Sequence, residues 1–219
     1  MNILLGIVSL LVTFSLVIIV EKLFKKEGLF VWMSIATITA NILVCKSIDV
    51  LGITTNLGNI LFASNFLATD IMSEKYGSKE SKRAILLAAF SQVVFIIMTQ
   101  FAILYIPSVE DLSQESMKGL FSINLRVSIA SLVMFFVANM LDIYIFEKIK
   151  EKVPGKLWLR NNVSTMVSNS IENYFFYFFA FVGFMDITTI LMIATSVSII
   201  EIIIALCDTP FLYLSKKLK

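Results

Sequence analysis

Histidine is absent from this 219-residue chain, and cysteine occurs only at Cys45 and Cys207. Without histidine there is no His-based catalytic triad and no His-ligated zinc or haem, and two cysteines cannot build a disulfide scaffold. Charge is scarce as well: 16% of the residues are charged, against about a quarter in a soluble domain. The net charge of +2 supplies no basic field for direct nucleic-acid binding. The phosphate loop GxxxxGK is missing, as are GxSxG, HExxH and paired CxxC. A pair of aspartates is the remaining intramembrane hydrolytic device, and Asp70 with Asp142 is that pair, but the flanking Gly or Tyr pattern is lacking. The chain therefore reads as no enzyme, with no catalytic residue, no metal and no cofactor. Apolar residues are what it has in excess, at 58% and a mean hydropathy of +0.89. A water-facing surface cannot hide that excess, so a polytopic membrane protein is expected.

A membrane-spanning helix needs ~20 mostly apolar residues. Seven segments approach that: 3–20, 29–45, 52–69, 84–106, 125–146, 161–184 and 187–206. The second is short, the third is interrupted by Asn56, Asn59 and Asn65, and the sixth opens with polar residues. Spans weakened in this way face a protein interior or a water-filled cavity. The first lacks a positive n-region and an Ala-x-Ala-like cleavage site, so it is expected to be retained as a helix. Residues 107–124, with Glu110, Asp111 and Glu115, read as a solvated loop.

The Lys and Arg residues fall between these segments in the order none, three, one, four, two, five, none and three. Basic loops stay in the cytoplasm. The expectation is thus an all-α, polytopic transmembrane helix bundle, one domain over 1–219, with seven spans, its N-terminus outside and its C-terminus cytoplasmic. A six-span alternative requires the first or third segment to be re-entrant. In the seven-span topology Cys45 and Cys207 lie near opposite faces, as small apolar filler without a disulfide.

A carboxylate at mid-bilayer costs ~2.5–3.5 kcal/mol on insertion scales. Asp142, Glu172 and Glu201 lie within spans, while Asp70 and Asp208 sit at span ends where they could be interfacial. In the sixth segment Asn161, Thr165, Ser168, Asn169 and Glu172 share an arc of ~100° at 100° per residue. Further along, that face carries Phe175, Phe176 and Phe179. A flat heteroaromatic ligand fits such a face, its rings on phenylalanine and its N–H donors on a carboxylate and amides. For the Ser and Thr residues ordinary helix-to-helix bonding, ~0.6 kcal/mol per contact, is the favoured reading. For Glu172, with no basic residue within a turn, ligand binding is favoured. Gly58, Phe62, Asn65 and Thr69 share a second face, where Gly58 permits close backbone approach. Thr69 or Asp70 could equally cap a short helix before Gly77. Asp142 divides evenly between structural and functional readings. Glu201 stands among isoleucines, with no partner readable from sequence.

Phe66-Leu67-Ala68-Thr69-Asp70, ending at Tyr76-Gly77, resembles the signature of the bacterial queuosine precursor transporters, small integral membrane proteins of the vitamin-uptake-transporter type. Two further matches follow in order: Met140-Leu141-Asp142-Ile143-Tyr144-Ile145-Phe146, and Ser164-Thr165 with Asn169, Glu172 and a Phe-rich run to Gly183. One departure is Glu172, where the family pattern usually has Asp. The resemblance implies a multi-pass protein of the bacterial inner membrane that imports 7-deazaguanine bases for salvage into tRNA queuosine: the cyano or aminomethyl precursor, or queuine. It implies no direct nucleic-acid contact; the partners are the small nucleobase, the bilayer, and either further copies of the chain or energising subunits. In the binding picture it suggests, Glu172, Asn169, Ser168 and Thr165 read the base. Phe175, Phe176 or Phe179 stack on it. Asn65, Thr69 and Asp70 line the opposite wall, and Asp70 or Asp142 helps hold a cationic form. Glu172 and Glu201 are candidates to carry a coupling proton. The alternatives are a substrate-binding subunit energised by separate ATPases, and an intramembrane enzyme or scaffold.

Overall fold

The computed structural model describes residues 1–50, 53–121 and 125–218; Gly52, Asn124 and Lys219, which delimit expected segments or the tail, lie outside the described residues. The described residues form seven helices and one small hairpin: α1 (Asn2–Leu43), β1 (Ser47–Val50), β2 (Ile53–Asn56), α2 (Asn59–Lys75), α3 (Ser78–Leu104), α4 (Gln114–Phe121), α5 (Leu125–Lys152), α6 (Leu157–Phe181) and α7 (Ile187–Lys217). Four of the helices, α1, α3, α5 and α7, are long and apolar enough to cross a membrane. The all-α bundle is as expected, with the hairpin as an addition.

Helix α1 is two antiparallel rods. At Lys25 the backbone takes a positive φ of 55°, a conformation that costs a side-chain-bearing residue about 1–3 kcal/mol. The chain doubles back there: the Asn2 side-chain amide donates to the Asp49 carbonyl at 3.0 Å, so the start of the helix lies beside the strand that follows its end. Gly28 makes the reversal feasible, since a Cβ there would stand 2.5 Å from the Val20 carbonyl oxygen. The halves, 2–24 and 26–43, correspond to the first two expected segments.

The third segment, expected over 52–69, is instead a strand followed by a helix. β2 pairs antiparallel with β1, and α2 begins only at Asn59. Gly58 sets that start against α1, where a Cβ would come within 2.8 Å of the Ala40 carbonyl oxygen. The helix then runs unbroken through Thr69 and Asp70, so neither caps a helix. Helix α2 is the centre of the bundle, packed on α1, α3, α5 and α7. Every residue from Ala63 to Ser73 is buried, including Ser64, Asn65, Thr69 and Asp70. Its neighbours satisfy part of that polarity: Trp32 Nε1 donates to Ser64 Oγ at 3.1 Å, and Asn65 Nδ2 to Thr37 Oγ1 at 3.1 Å. The expected loop at 107–124 contains α4.

The basic segments gather at one end of the bundle. Glu21 in α1 accepts from Lys75 at 2.6 Å and from the Tyr76 hydroxyl at 3.0 Å, and Lys75 also donates to the Ser215 and Leu218 carbonyls. Lys26 pairs with Glu80 at 3.2 Å. Glu74, at the interfacial end of α2, pairs with Lys150 of α5 at 3.4 Å, Lys216 of α7 at 2.7 Å and Arg160 of α6. One carboxylate therefore joins four helices. Burial pushes the Tyr76 phenol up to about 12, aided by its bond to Glu21, so it remains a donor. The opposite end holds the hairpin, α4 and the turn between α6 and α7; there Cys45 Sγ approaches the Leu120 carbonyl. Cys207 lies far along α7, and both cysteines are free thiols.

Arg160 is buried, and beyond Glu74 it reaches the Pro154 carbonyl at 2.9 Å. Glu74→Ala leaves that guanidinium short of its counter-charge and should lower unfolding stability by about 3–5 kcal/mol, the cost of breaking a buried pair. Removing Glu115, which is exposed and paired with Lys118 only within α4, should produce a far smaller change in the same detergent-solubilised unfolding experiment. Burial alone would raise the Glu74 carboxyl, but the Lys216 hydrogen bond and the charges of Arg160, Lys150 and Lys216 outweigh it and hold it below its ordinary value. A carboxyl lowered by folding stabilises above its unfolded value, ~4.3, and loses that contribution as pH falls through the folded value. The stability gap between wild type and Glu74→Gln should therefore be full above about pH 5 and close on acidification; a gap that widens in acid contradicts this assignment.

Candidate functional site

A cavity of about 480 Å³ opens in the half of the bundle that carries the hairpin. Its volume falls within the ~300–1,000 Å³ of small-molecule sites. Helix α6 supplies one wall with Asn169, Glu172, Asn173, Phe176, Tyr177 and Phe181; α7 adds Ile193, Val197 and Glu201. Opposite stand Asn59, Phe62, Ala63 and Phe66 of α2, with Asn41 and Cys45 from the end of α1 and Thr55 and Asn56 from β2. Val127 and Ser131 of α5 complete it.

The helical repeat produces this lining. Asn169, Glu172, Asn173, Phe176 and Tyr177 recur at intervals of three and four along α6, on the face turned inward. The amide of Asn173 donates to Glu201 Oε2 at 2.6 Å, tying α6 to α7 inside the cavity wall. Glu172 has no hydrogen-bond partner among the described residues, and it shares the cavity with Glu201. Asn169 is 2% exposed, and its side-chain oxygen lacks a partner. On the α2 side, Asn59 donates to the Thr55 hydroxyl at 2.9 Å, which couples the hairpin to the helix start. Tyr177 and Phe181 stack at 6.0 Å, and Phe176 meets Phe181 edge-on at 6.4 Å.

The expected constellation divides. Glu172, Asn169 and Phe176 line the cavity. Phe175 and Phe179 do not: they stack on each other at 6.0 Å on the outer surface of α6, about half exposed. At 100° per residue both lie roughly 100–150° around the helix from the mean direction of the lining residues. Ser168, Thr165, Asn65, Thr69, Asp70 and Asp142 do not line it either; they are buried in the body of the bundle towards the basic end. The opposite wall assigned to Asn65, Thr69 and Asp70 is formed instead by Asn59, Phe62, Ala63 and Phe66, one to two turns earlier in α2. Glu201 gains the partner that sequence alone did not reveal, and it joins Glu172 in the same cavity.

The buried polar residues form a column between the cavity and the ion-paired end. Asp142 lies 3.4 Å from the Thr165 hydroxyl and 3.5 Å from that of Thr69. Asp208 accepts from Asn161 Nδ2 at 2.6 Å, and Thr209 Oγ1 accepts from Asn161 and Asn162. Asp70 neighbours Asp142, with neither of its oxygens bonded among the described residues. No set of three or more Cys, Asp or Glu side chains among the described residues is arranged to hold a metal ion.

Comparison with known proteins agrees with this architecture. Residues 56–215 match the family model described as "Putative vitamin uptake transporter". The chain is 34% identical over 210 residues to a protein of Bacillus subtilis (strain 168) named "Probable queuosine precursor transporter", a match covering 95% of this chain and 92% of that one. No solved structure matches. The matched region contains α2, α5 and α6 and most of α7, which carry most of the cavity wall together with Asp70, Asp142, Glu172, Glu201 and Asp208. The chain therefore belongs to the vitamin uptake transporter family, and it is a membrane transporter and not an enzyme.

Proposed function

We propose that this transporter imports queuosine precursors, flat 7-deazaguanine bases, across the bacterial inner membrane for salvage into tRNA. The name of the B. subtilis relative supports the substrate class. The observation that carries the reading is the cavity itself, where an unbonded carboxylate and a carboxamide on α6 face aromatic rings across a space of small-molecule size. A 7-deazaguanine edge presents a ring N–H beside an exocyclic amine, two parallel donors that one carboxylate accepts together. Glu172 takes that role. Its neighbour one turn back, Asn169, sits beside the same edge, and Asn41, Asn56, Asn59 and Asn173 are the further amide groups of the wall. Phe66, Phe176 and Tyr177 supply ring faces for stacking. Glu172 and Glu201 are also the acids best placed to exchange a proton during a transport cycle.

The topology that accompanies this function has seven spans, counting the halves of α1 separately. Its ion-paired end is cytoplasmic and its hairpin end outside. Supporting this, the basic segments 22–26, 75–83, 148–160 and 216–217 all lie at one end, as the retention of basic loops requires.

Two experiments check these assignments. In a strain unable to synthesise queuosine, Glu172→Gln should reduce uptake of labelled precursor at least tenfold, a loss of about 1.4 kcal/mol or more in recognition; undiminished uptake at normal expression would retire the role of Glu172. In a chain with Cys45 and Cys207 replaced by alanine, a membrane-impermeant maleimide should label Ser108→Cys in intact cells and Lys152→Cys only after permeabilisation. The reverse pattern inverts the orientation.

A further inference from the structure

The polar groups facing the cavity are out of balance. Two acids, Glu172 and Glu201, line it, and no lysine or arginine does. Arg126, next to the lining residue Val127, is not itself in the lining; its Nε donates to the Phe179 carbonyl, and its guanidinium lies over the Phe184 ring. Glu201 is 8% exposed, and one of its oxygens is fixed by Asn173. Its second oxygen, both oxygens of Glu172 and the side-chain oxygen of Asn169 are acceptors without a donor among the described residues. A neutral occupant with one hydrogen-bonding edge could answer Glu172, yet would leave Glu201 uncompensated in a poorly hydrated wall. An occupant with a positive charge at its other end answers both.

Resting on the reading of the chain as a carrier of 7-deazaguanine bases, we propose that the cavity selects a cationic, amine-bearing base over a neutral one, with Glu172 holding the ring edge and Glu201, oriented by Asn173, holding the ammonium group. Asn173 is the positioning residue: its amide engages one carboxylate oxygen and leaves the other directed to cargo. The two acids are on different helices, α6 and α7, so a ligand that bridges them also bridges the helices. Asp70 and Asp142, which a cationic ligand might have used, are buried outside the cavity lining and do not take this part.

The test is equilibrium binding to the purified full-length protein in lipid nanodiscs, with the 7-aminomethyl and 7-cyano forms of 7-deazaguanine as the cationic and neutral probes. Wild type should bind the aminomethyl base about tenfold or more tightly than the cyano base, a difference of about 1.4 kcal/mol. Glu201→Gln should bring that ratio close to one, and Glu201→Asp, which keeps the charge but withdraws it, should leave an intermediate ratio. Thermal unfolding of each variant checks that it is folded, and Glu201→Asp decides the matter if Glu201→Gln is not. Equal affinity of wild type for the two bases overturns the charge selectivity while leaving the carrier reading intact. A wild-type preference that survives Glu201→Gln overturns the role of Glu201. Failure of both bases to bind overturns the carrier reading itself.

Discussion

Acidic side chains in the interior of an apolar bundle, not ion-paired among the described residues, are the constraint around which this bundle is organised. A charge in low dielectric has to be paired, hydrogen-bonded or given access to water. The chain separates its charges along its length: lysine and arginine collect at one end, whereas Asp70, Asp142, Glu172, Glu201 and Asp208 occupy the interior. The central position of α2 follows. A helix carrying Ser64, Asn65, Thr69 and Asp70 cannot face lipid, so α1, α3, α5 and α7 enclose it. The apolar helices can face lipid, and α1 and α3 expose rows of leucine, isoleucine and phenylalanine accordingly.

The interior acids fall into two tiers with different chemistry. In the lower tier Asp142 is supplied by threonine hydroxyls from α2 and α6, and Asp208 by the Asn161 amide. These bonds hold helices together, the role that small polar residues play in most membrane bundles. In the upper tier, Glu172 is left without a protein donor and Glu201 receives one from Asn173. What distinguishes the tiers is the open space: Asp70 also lacks a donor among the described residues but is buried away from the cavity, whereas Glu172 and Glu201 line it. The same criterion distinguishes the phenylalanines. Phe66 and Phe176 face the cavity, while Phe175 and Phe179 cover the outer surface.

Much of the fold was legible because lipid imposes a coarse rule. Segments of enough apolar length mark helices, and the alternation of basic loops placed 22–26, 75–83 and 148–160 at the same end. Polar interruptions marked α2 as an interior helix and the polar face of α6 as turned inward, while the other face of α6 is exposed. The hairpin was not legible as such, because Ile53, Thr54 and Thr55 read equally as the start of an apolar span; the signal available was a β-branched run on either side of Gly52. In the site, helical periodicity brought Glu172 and Asn169 to one face, but it could not rank depth. Asn65 and Thr69 share the face of α2 that carries Phe62, yet they and Asp70 lie further along the axis than the cavity reaches. Glu201 was identified as costly to bury, whereas its bond to Asn173 is a contact between helices that no single-helix pattern contains.

The two ends of the molecule are closed by different kinds of interaction, and this bears on passage through it. At the hairpin end the cavity is bounded by short polar side chains such as Thr55 and Asn56, with few bonds to break. At the other end Glu74 alone joins α2 to α5, α6 and α7, and Lys75 joins α2 to α1 and the end of α7. A molecule in the cavity can reach that end only where α2 separates from its neighbours, since α2 is buried on every side from Ala63 to Ser73. Exposed ion pairs there are individually weak and exchange readily with water. The buried Arg160–Glu74 pair is the exception, the contact at that end whose rupture costs most. Separation of α2 from α6 would expose Asp70 and Asp142 to water and relieve their burial, so the polar column that opposes lipid exposure at rest favours hydration once the helices part. The acids that make α2 unfit for a lipid-facing position thus also reduce the cost of opening a wet path beside it.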